Sequence, residues 1–183
     1  MNGITMTYRL FIAIPCLTAR EALKCAQPNN LIPLITQSPS YETLHLTLAF
    51  FSDFKCSDLS LLVHFLSDCL SQYDRFQCVV DHLGCLDRGN ELSWVAYIQP
   101  NLYLAQIHEF LKMKSKQLGW RMDSSEFKPH VTLLKDYSFV NDVQTYSLVP
   151  HLTLNVERVQ LLRSSLGQGP CQYEVLDEFL LNA

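Results

Sequence analysis

Three of the six histidines stand in one tetrapeptide frame: His45-Leu46-Thr47-Leu48, His130-Val131-Thr132-Leu133 and His151-Leu152-Thr153-Leu154. In a chain of ordinary composition a given His is followed by Thr at i+2 and Leu at i+3 on the order of once in a hundred cases, so the recurrence sets these residues apart. In an extended strand, residues i and i+2 share a face, so an imidazole and a hydroxyl point one way while two apolar side chains anchor them from behind. Two such walls facing one ligand suit acid–base catalysis, because the unperturbed imidazole titrates near pH 6.5 and one copy can accept a proton while the other donates it. For attack of water on a phosphodiester the pair suffices, with Thr hydroxyls donating to the phosphoryl oxygens. Two His without a Cys or carboxylate frame make a poor zinc set, so neither a metal nor another cofactor is expected.

Spacing separates the three copies. The step along the chain from His45 to His130 equals the step from Pro15 to Pro100, so each of the first two copies reads apolar strand, Pro, helix, polar loop, motif. That is the pattern of a duplicated unit held without a gap. The position before His151 that corresponds to those prolines is Arg121, which ends no strand, and His151 is read as a chance echo.

The elements that must position these residues follow from periodicity and punctuation. Strands are expected over 8–15, 44–51, 75–82, 92–99, 131–134, 152–162 and 172–176. A capping-box pattern at Thr18 and Glu21 predicts a helix over 19–26. Ser57 is expected to cap a helix with Leu59, Leu62, Val63, Leu66 and Leu70 on one face, and Pro100 and Asn101 to open another carrying Leu104, Ile107, Leu111 and Leu118, stopped by Gly119. Turns are expected at 87–90 and 167–170. The mixture is α+β.

Composition narrows the class. The chain has 183 residues, 48% of them hydrophobic and 17% charged, with net charge −4, which describes a globular protein without the positive field that holds a long phosphate backbone. No apolar run is long enough to span a bilayer and no secretory leader pattern stands at the start, so a cytoplasmic protein with no membrane partner is expected. Seven Cys, with no C-x-x-C pair, fit neither a disulfide framework nor a thiolate zinc site, and most are expected to be small buried hydrophobes. His64, His82 and His108 are expected at the surface or its boundary. Of Arg121, Lys128, Lys135 and Arg163, only Lys135 is assigned to a phosphate, the others being solvated charges. Phe11, Tyr41 and Trp94 are expected in the core, with stacking on a base as the alternative reading.

At Arg9-Leu10-Phe11-Ile12-Ala13-Ile14, His45-Leu46-Thr47-Leu48-Ala49-Phe50 and Phe127-Lys128-Pro129-His130-Val131-Thr132-Leu133, the sequence resembles the two-histidine (2H) phosphoesterase superfamily and, within it, the bacterial RNA 2′,3′-cyclic phosphodiesterase or 2′-5′ RNA ligase branch. Trp94 and Leu162-Arg163-Ser164 also fit. The resemblance implies one domain over residues 1–183, built of two similar, interleaved lobes with antiparallel sheets and a cleft between them. It implies hydrolysis of a terminal 2′,3′-cyclic phosphate to a 2′-phosphomonoester, with His45 as proton donor, His130 as acceptor, and Thr47 and Thr132 on the phosphate. Reversible 2′-5′ ligation through the same acid–base pair is a further implication. Where the family often carries Arg after the second motif this chain has Lys135, which keeps the charge and loses the bidentate fork. Expected partners are RNA ends or small 2′,3′-cyclic nucleotides, bound by a monomer. The alternative is a non-catalytic nucleotide or RNA-end binding module, which loss of a motif His or Thr would favour; both motifs are intact.

Overall fold

A computed structural model of the chain describes residues 6–17, 19–25, 43–87, 92–135, 146–147, 152–165 and 172–183. Expectations for Tyr41, His151, the Thr18 cap and most of both turns lie outside them. Nine strands occur among these residues: β1 (Thr7–Pro15), β2 (His45–Lys55), β3 (Phe76–Asp87), β4 (Leu92–Ile98), β5 (His130–Lys135), β6 (Tyr146–Ser147), β7 (Thr153–Val156), β8 (Arg158–Ser165) and β9 (Gln172–Leu180). The helices are α1 (Arg20–Cys25), α2 (Leu59–Leu70) and α3 (Leu102–Leu118). None is long and apolar enough to cross a membrane.

All pairings among named strands are antiparallel, in the order β6-β3-β4-β5-β2-β1-β8-β9, with β7 on β3. The two halves of this curled sheet meet at one residue pair, Leu46 opposite Val131. Behind that junction Leu46, Leu48, Val131 and Leu133 are at most 1% exposed. Burial of each contributes roughly 2 kcal/mol, which fixes the two motif strands from their apolar side.

α3 follows the expected stripe, with Leu104, Ile107 and Leu111 buried, whereas Leu118 is exposed. The Asn101 side chain accepts from the Leu104 N–H at 3.2 Å. At the other end Gly119 takes the left-handed conformation (φ 70°) that stops the helix. Ser57 is not a helix cap. A 3₁₀ turn at Cys56–Asp58 takes its place, Ser57 donates to Asp58 Oδ1 at 2.9 Å, and the other Asp58 oxygen accepts from Trp120 Nε1 at 3.1 Å.

Two further expectations are corrected. The strand expected over 152–162 breaks at Glu157, because β7 is needed on β3 while β8 lies between β1 and β9 at the other end of the sheet. The register between the two halves is not gap-free. Pro15 stands opposite His45, but Tyr97 stands opposite His130, while Pro100 lies beyond β4, just before the α3 cap. The step between the first strands, and between the helix starts Arg20 and Leu102, is thus three positions shorter than the step between the motif strands. The bond from Cys16 N to Leu44 O (2.9 Å) has its counterpart, on the same two steps, in that from Ile98 N to Pro129 O (3.0 Å).

Cys16, Cys69 and Cys78 are buried and Cys56 and Cys85 half-buried, all as free thiols. Burial pushes Cys16 and Cys78 up to about 12 and Cys69 up to about 11, which keeps them as inert core thiols.

Candidate active site

His45 opens β2 and His130 opens β5, and their backbones impose the same local geometry. The Nδ1 of His45 lies 2.7 Å from the Thr43 carbonyl oxygen, and that of His130 lies 2.6 Å from the Lys128 carbonyl oxygen. A carbonyl only accepts, so each Nδ1 carries its proton and donates it. Each Nε2 is thereby an acceptor in the neutral ring and a donor in the charged one. Both rings line one cleft of about 330 Å³, together with Thr47, Thr132 and Lys135. All five residues singled out from the sequence therefore meet at one place.

The Leu46–Val131 pair explains why. Continuing the antiparallel register by one residue in each direction sets His45 against Thr132 and Thr47 against His130. The two histidines become diagonal neighbours, a relationship that separates side chains by about 7–8 Å and leaves room for a group between them.

Strict alternation ends at the fourth motif residue. β1 and β2 slip register between Ile12 and Ala13, and β4 and β5 slip between Trp94 and Val95, so that Leu48 and Leu133 are each passed over as a bulge. Both segments show the same burial sequence, His45 to Phe50 and His130 to Lys135 alike: half-buried, buried, half-buried, buried, buried, half-buried. The bulge returns Phe50 and Lys135, which hold equivalent places after their respective histidines, to the cleft face.

That equivalence makes the cleft asymmetric. Around Phe50 the wall is aromatic: Phe50 stacks on Phe11 with centroids 4.6 Å apart, and Tyr173 meets the edges of Phe11 (5.9 Å) and His45 (5.2 Å). The Arg9 guanidinium lies over the Phe50 ring at 5.0 Å, and its Nε is buried without a hydrogen bond. Around Lys135 the wall is polar, with Ser93 and Asp87 nearby in the lining. Phe11 is thus a cleft residue and not the core residue expected, whereas Trp94 is wholly buried as expected. Burial depresses the His45 pKa below 6.5; the bond to Thr43 opposes that shift, and the Lys135 charge adds to it.

Three of the cationic candidates are engaged elsewhere or at the rim. Arg163 pairs with Glu174 and lies 5.0 Å over Tyr8, Arg121 is 3.5 Å from Asp53, and Lys128 at the cleft edge is 3.0 Å from Glu126. His108, expected near the surface, is buried. Its Nδ1 donates to the Leu48 carbonyl oxygen at 2.8 Å, and its ring lies parallel to Phe127 at 4.0 Å. It braces the bulge of β2 against the segment that leads into His130. Arg9, Phe50, Tyr173, His108 and Phe127 went unassigned as site residues in the sequence. Only Arg9, two residues before Phe11 on one strand face, and Phe50, at the place of Lys135, left a periodic signal.

Comparison with known proteins finds relatives that cover nearly the whole chain. The RNA 2′,3′-cyclic phosphodiesterase of Escherichia coli (strain K12) is 26% identical over 180 residues, covering 94% of this chain and 96% of that protein. The crystal structure of E. coli LigT complexed with 3′-AMP matches with a TM-score of 0.79 at 24% identity, over 97% of this chain and all of that one. The crystal structure of TT0787 of Thermus thermophilus matches with a TM-score of 0.80 at 24% identity, over 94% and 97% of the two chains. These two structures share the fold. The model of the 2′-5′ RNA ligase superfamily matches residues 36–168, which span both histidine motifs, and the chain belongs to that superfamily of 2H phosphoesterases.

Proposed function

We propose that the protein hydrolyses 2′,3′-cyclic phosphates at RNA ends, or on small nucleotides, to 2′-phosphomonoesters. The observation that carries this reading is the matched pair of Nδ1–H donations to the Thr43 and Lys128 carbonyls, which directs two Nε2 atoms to one substrate in one cleft. His130 Nε2 takes a proton from water as its oxygen attacks phosphorus, and His45 Nε2 gives a proton to the departing 3′-oxygen. Thr47 and Thr132 donate to the non-bridging oxygens, and Lys135 balances the growing negative charge. No step calls for a metal ion. The aromatic wall of Phe11, Phe50 and Tyr173 takes the terminal base, since stacking tolerates any base. One chain of two similar units supplies both histidines, so the working unit is a monomer. The name of the E. coli relative supports the substrate class, and the 3′-AMP complex of LigT supports a nucleotide in the cleft.

The test is incubation, with chelator present, of a short oligonucleotide ending in a 2′,3′-cyclic phosphate. A 2′-phosphate product is expected. Binding without turnover would instead make the protein a nucleotide-binding module.

A further inference from the structure

Stacking on the aromatic wall holds a terminal base without choosing among bases, yet the wall carries one cation with donors to spare. Arg9 and Phe11 stand two residues apart on one face of β1, and both line the cleft. The Arg9 guanidinium lies 5.0 Å over the Phe50 ring and 5.9 Å over that of Phe11. Its Nε is buried without a hydrogen bond. Among the described residues no carboxylate pairs with it. Asp53 of β2 is committed to Arg121 at 3.5 Å, and Glu174 of β9 to Arg163.

The backbone sets this orientation. β1 and β2 slip register between Tyr8 and Leu10, so that Arg9 alone opposes Ser52 and Asp53, and a bulge of this kind re-aims a side chain. On the other edge of β1, Arg9 stands opposite Ser164 and Ser164 opposite Tyr173, one row across three strands. Tyr173 in turn meets the edge of Phe11 at 5.9 Å. Arg9 therefore belongs to the aromatic wall, whereas Thr47, Thr132 and Lys135 serve the phosphate.

A guanidinium is flat, stacks on aromatic faces and holds its N–H donors in a rigid in-plane fork. Laid on the same wall as a stacked base, it meets that base at the edge, where the fork needs two acceptors side by side. Guanine sets O6 beside N7, the commonest bidentate partner of Arg. Adenine sets an amino donor beside N7, and uracil separates its carbonyls by an N–H. Cytosine sets N3 beside O2 but lays one ring on the wall where guanine lays two. We infer that Arg9 is a specificity-determining residue that selects guanosine as the nucleoside bearing the 2′,3′-cyclic phosphate. The inference rests on the proposed hydrolytic site and adds a base preference to it.

The experiment compares kcat/KM for the 2′,3′-cyclic phosphates of guanosine and adenosine, two purines that stack alike and differ at the edge. The native protein is expected to favour guanosine about tenfold. Arg9→Met keeps the apolar stem and loses the fork, and Arg9→Lys keeps the charge alone. Each is expected to bring the ratio close to one through a raised KM for the guanosine substrate, and circular dichroism verifies that each variant is folded. Altered substrates test the native protein directly. The 7-deazaguanosine analogue, which lacks the N7 acceptor, is expected to lose most of the preference, and the inosine analogue, which keeps O6 and N7, to retain it. A native ratio within about twofold of one, or an equal loss for both purines in folded Arg9→Met, the mark of a phosphate contact, overturns the inference. Hydrolysis of neither substrate by the native protein overturns the underlying reading instead.

Discussion

Leu46 and Val131 face each other at the centre of the sheet, and this one pair sets the geometry of the cleft. Each is the residue that follows a motif histidine, so an antiparallel contact between them puts each histidine beside the other motif's threonine. Neither side chain touches substrate in the proposed reaction, because both are fully buried. Their contribution is register. A slip of one residue would turn one histidine to the core side of the sheet.

Thr47→Val and Thr132→Val keep volume and strand preference while removing the hydroxyl. Each is expected to lower kcat by about 100-fold, the usual cost of removing one donor to a developing phosphoryl charge, with little change in thermal stability. Steady-state kinetics on a cyclic-ended dinucleotide measures the first effect and a melting curve the second. Losses below threefold in both variants would remove the threonines from the phosphate.

The pH profile follows from His45. Burial holds its pKa below 6.5, and a proton donor is lost as pH rises through that value. The alkaline limb of kcat/KM, which reports the free enzyme, is therefore expected below pH 6.5. Lys135→Met removes one of the influences that lower this pKa, so the limb should move to higher pH, whereas Lys135→Arg should leave it in place. Movement to lower pH in Lys135→Met would contradict the assigned interaction.

Both motifs, their shared cleft and the α3 stripe are legible in the sequence because period-2 and period-3.6 patterns survive in it. The alternation misleads after Thr47 and Thr132, where the bulges at Leu48 and Leu133 rephase each strand. Phe50 and Lys135 gain their place only through that rephasing, a consequence of pairing with β1 and β4 that no local pattern encodes. Tyr173 and His108 reach the site from β9 and α3, across separations the chain does not announce. The equal spacing of Pro15 and Pro100 looks like register, yet the strands pair three residues out of that step. The break at Glu157 is likewise hidden, since β7 and β8 read as one apolar run until their different partners separate them.

His108→Ala removes the donor to the Leu48 carbonyl and the stack on Phe127. A buried carbonyl left without its donor costs about 2 kcal/mol, which for a chain of this length lowers Tm by about 4–8 °C. Thermal unfolding followed by circular dichroism measures it. A shift below about 1 °C would show that the bulge needs no brace.

Phe11→Ala opens the aromatic wall. The KM for a cyclic-ended nucleotide is expected to rise about tenfold, the size of one lost base stack, with kcat changing less because the phosphate contacts remain. A fall in kcat at constant KM would move Phe11 from base binding to support of His45.

The central claim is that His45 and His130 work as one proton relay on one phosphate. The direct test compares turnover of a 2′,3′-cyclic-ended oligonucleotide by His45→Ala, His130→Ala and the double variant, with chelator present. Groups that act as a unit lose nearly everything when either is removed, so each single variant should fall by about 10²–10⁴ and the double variant hardly further. A single variant with native turnover, or a double variant whose loss is the product of the two single losses, would contradict the relay.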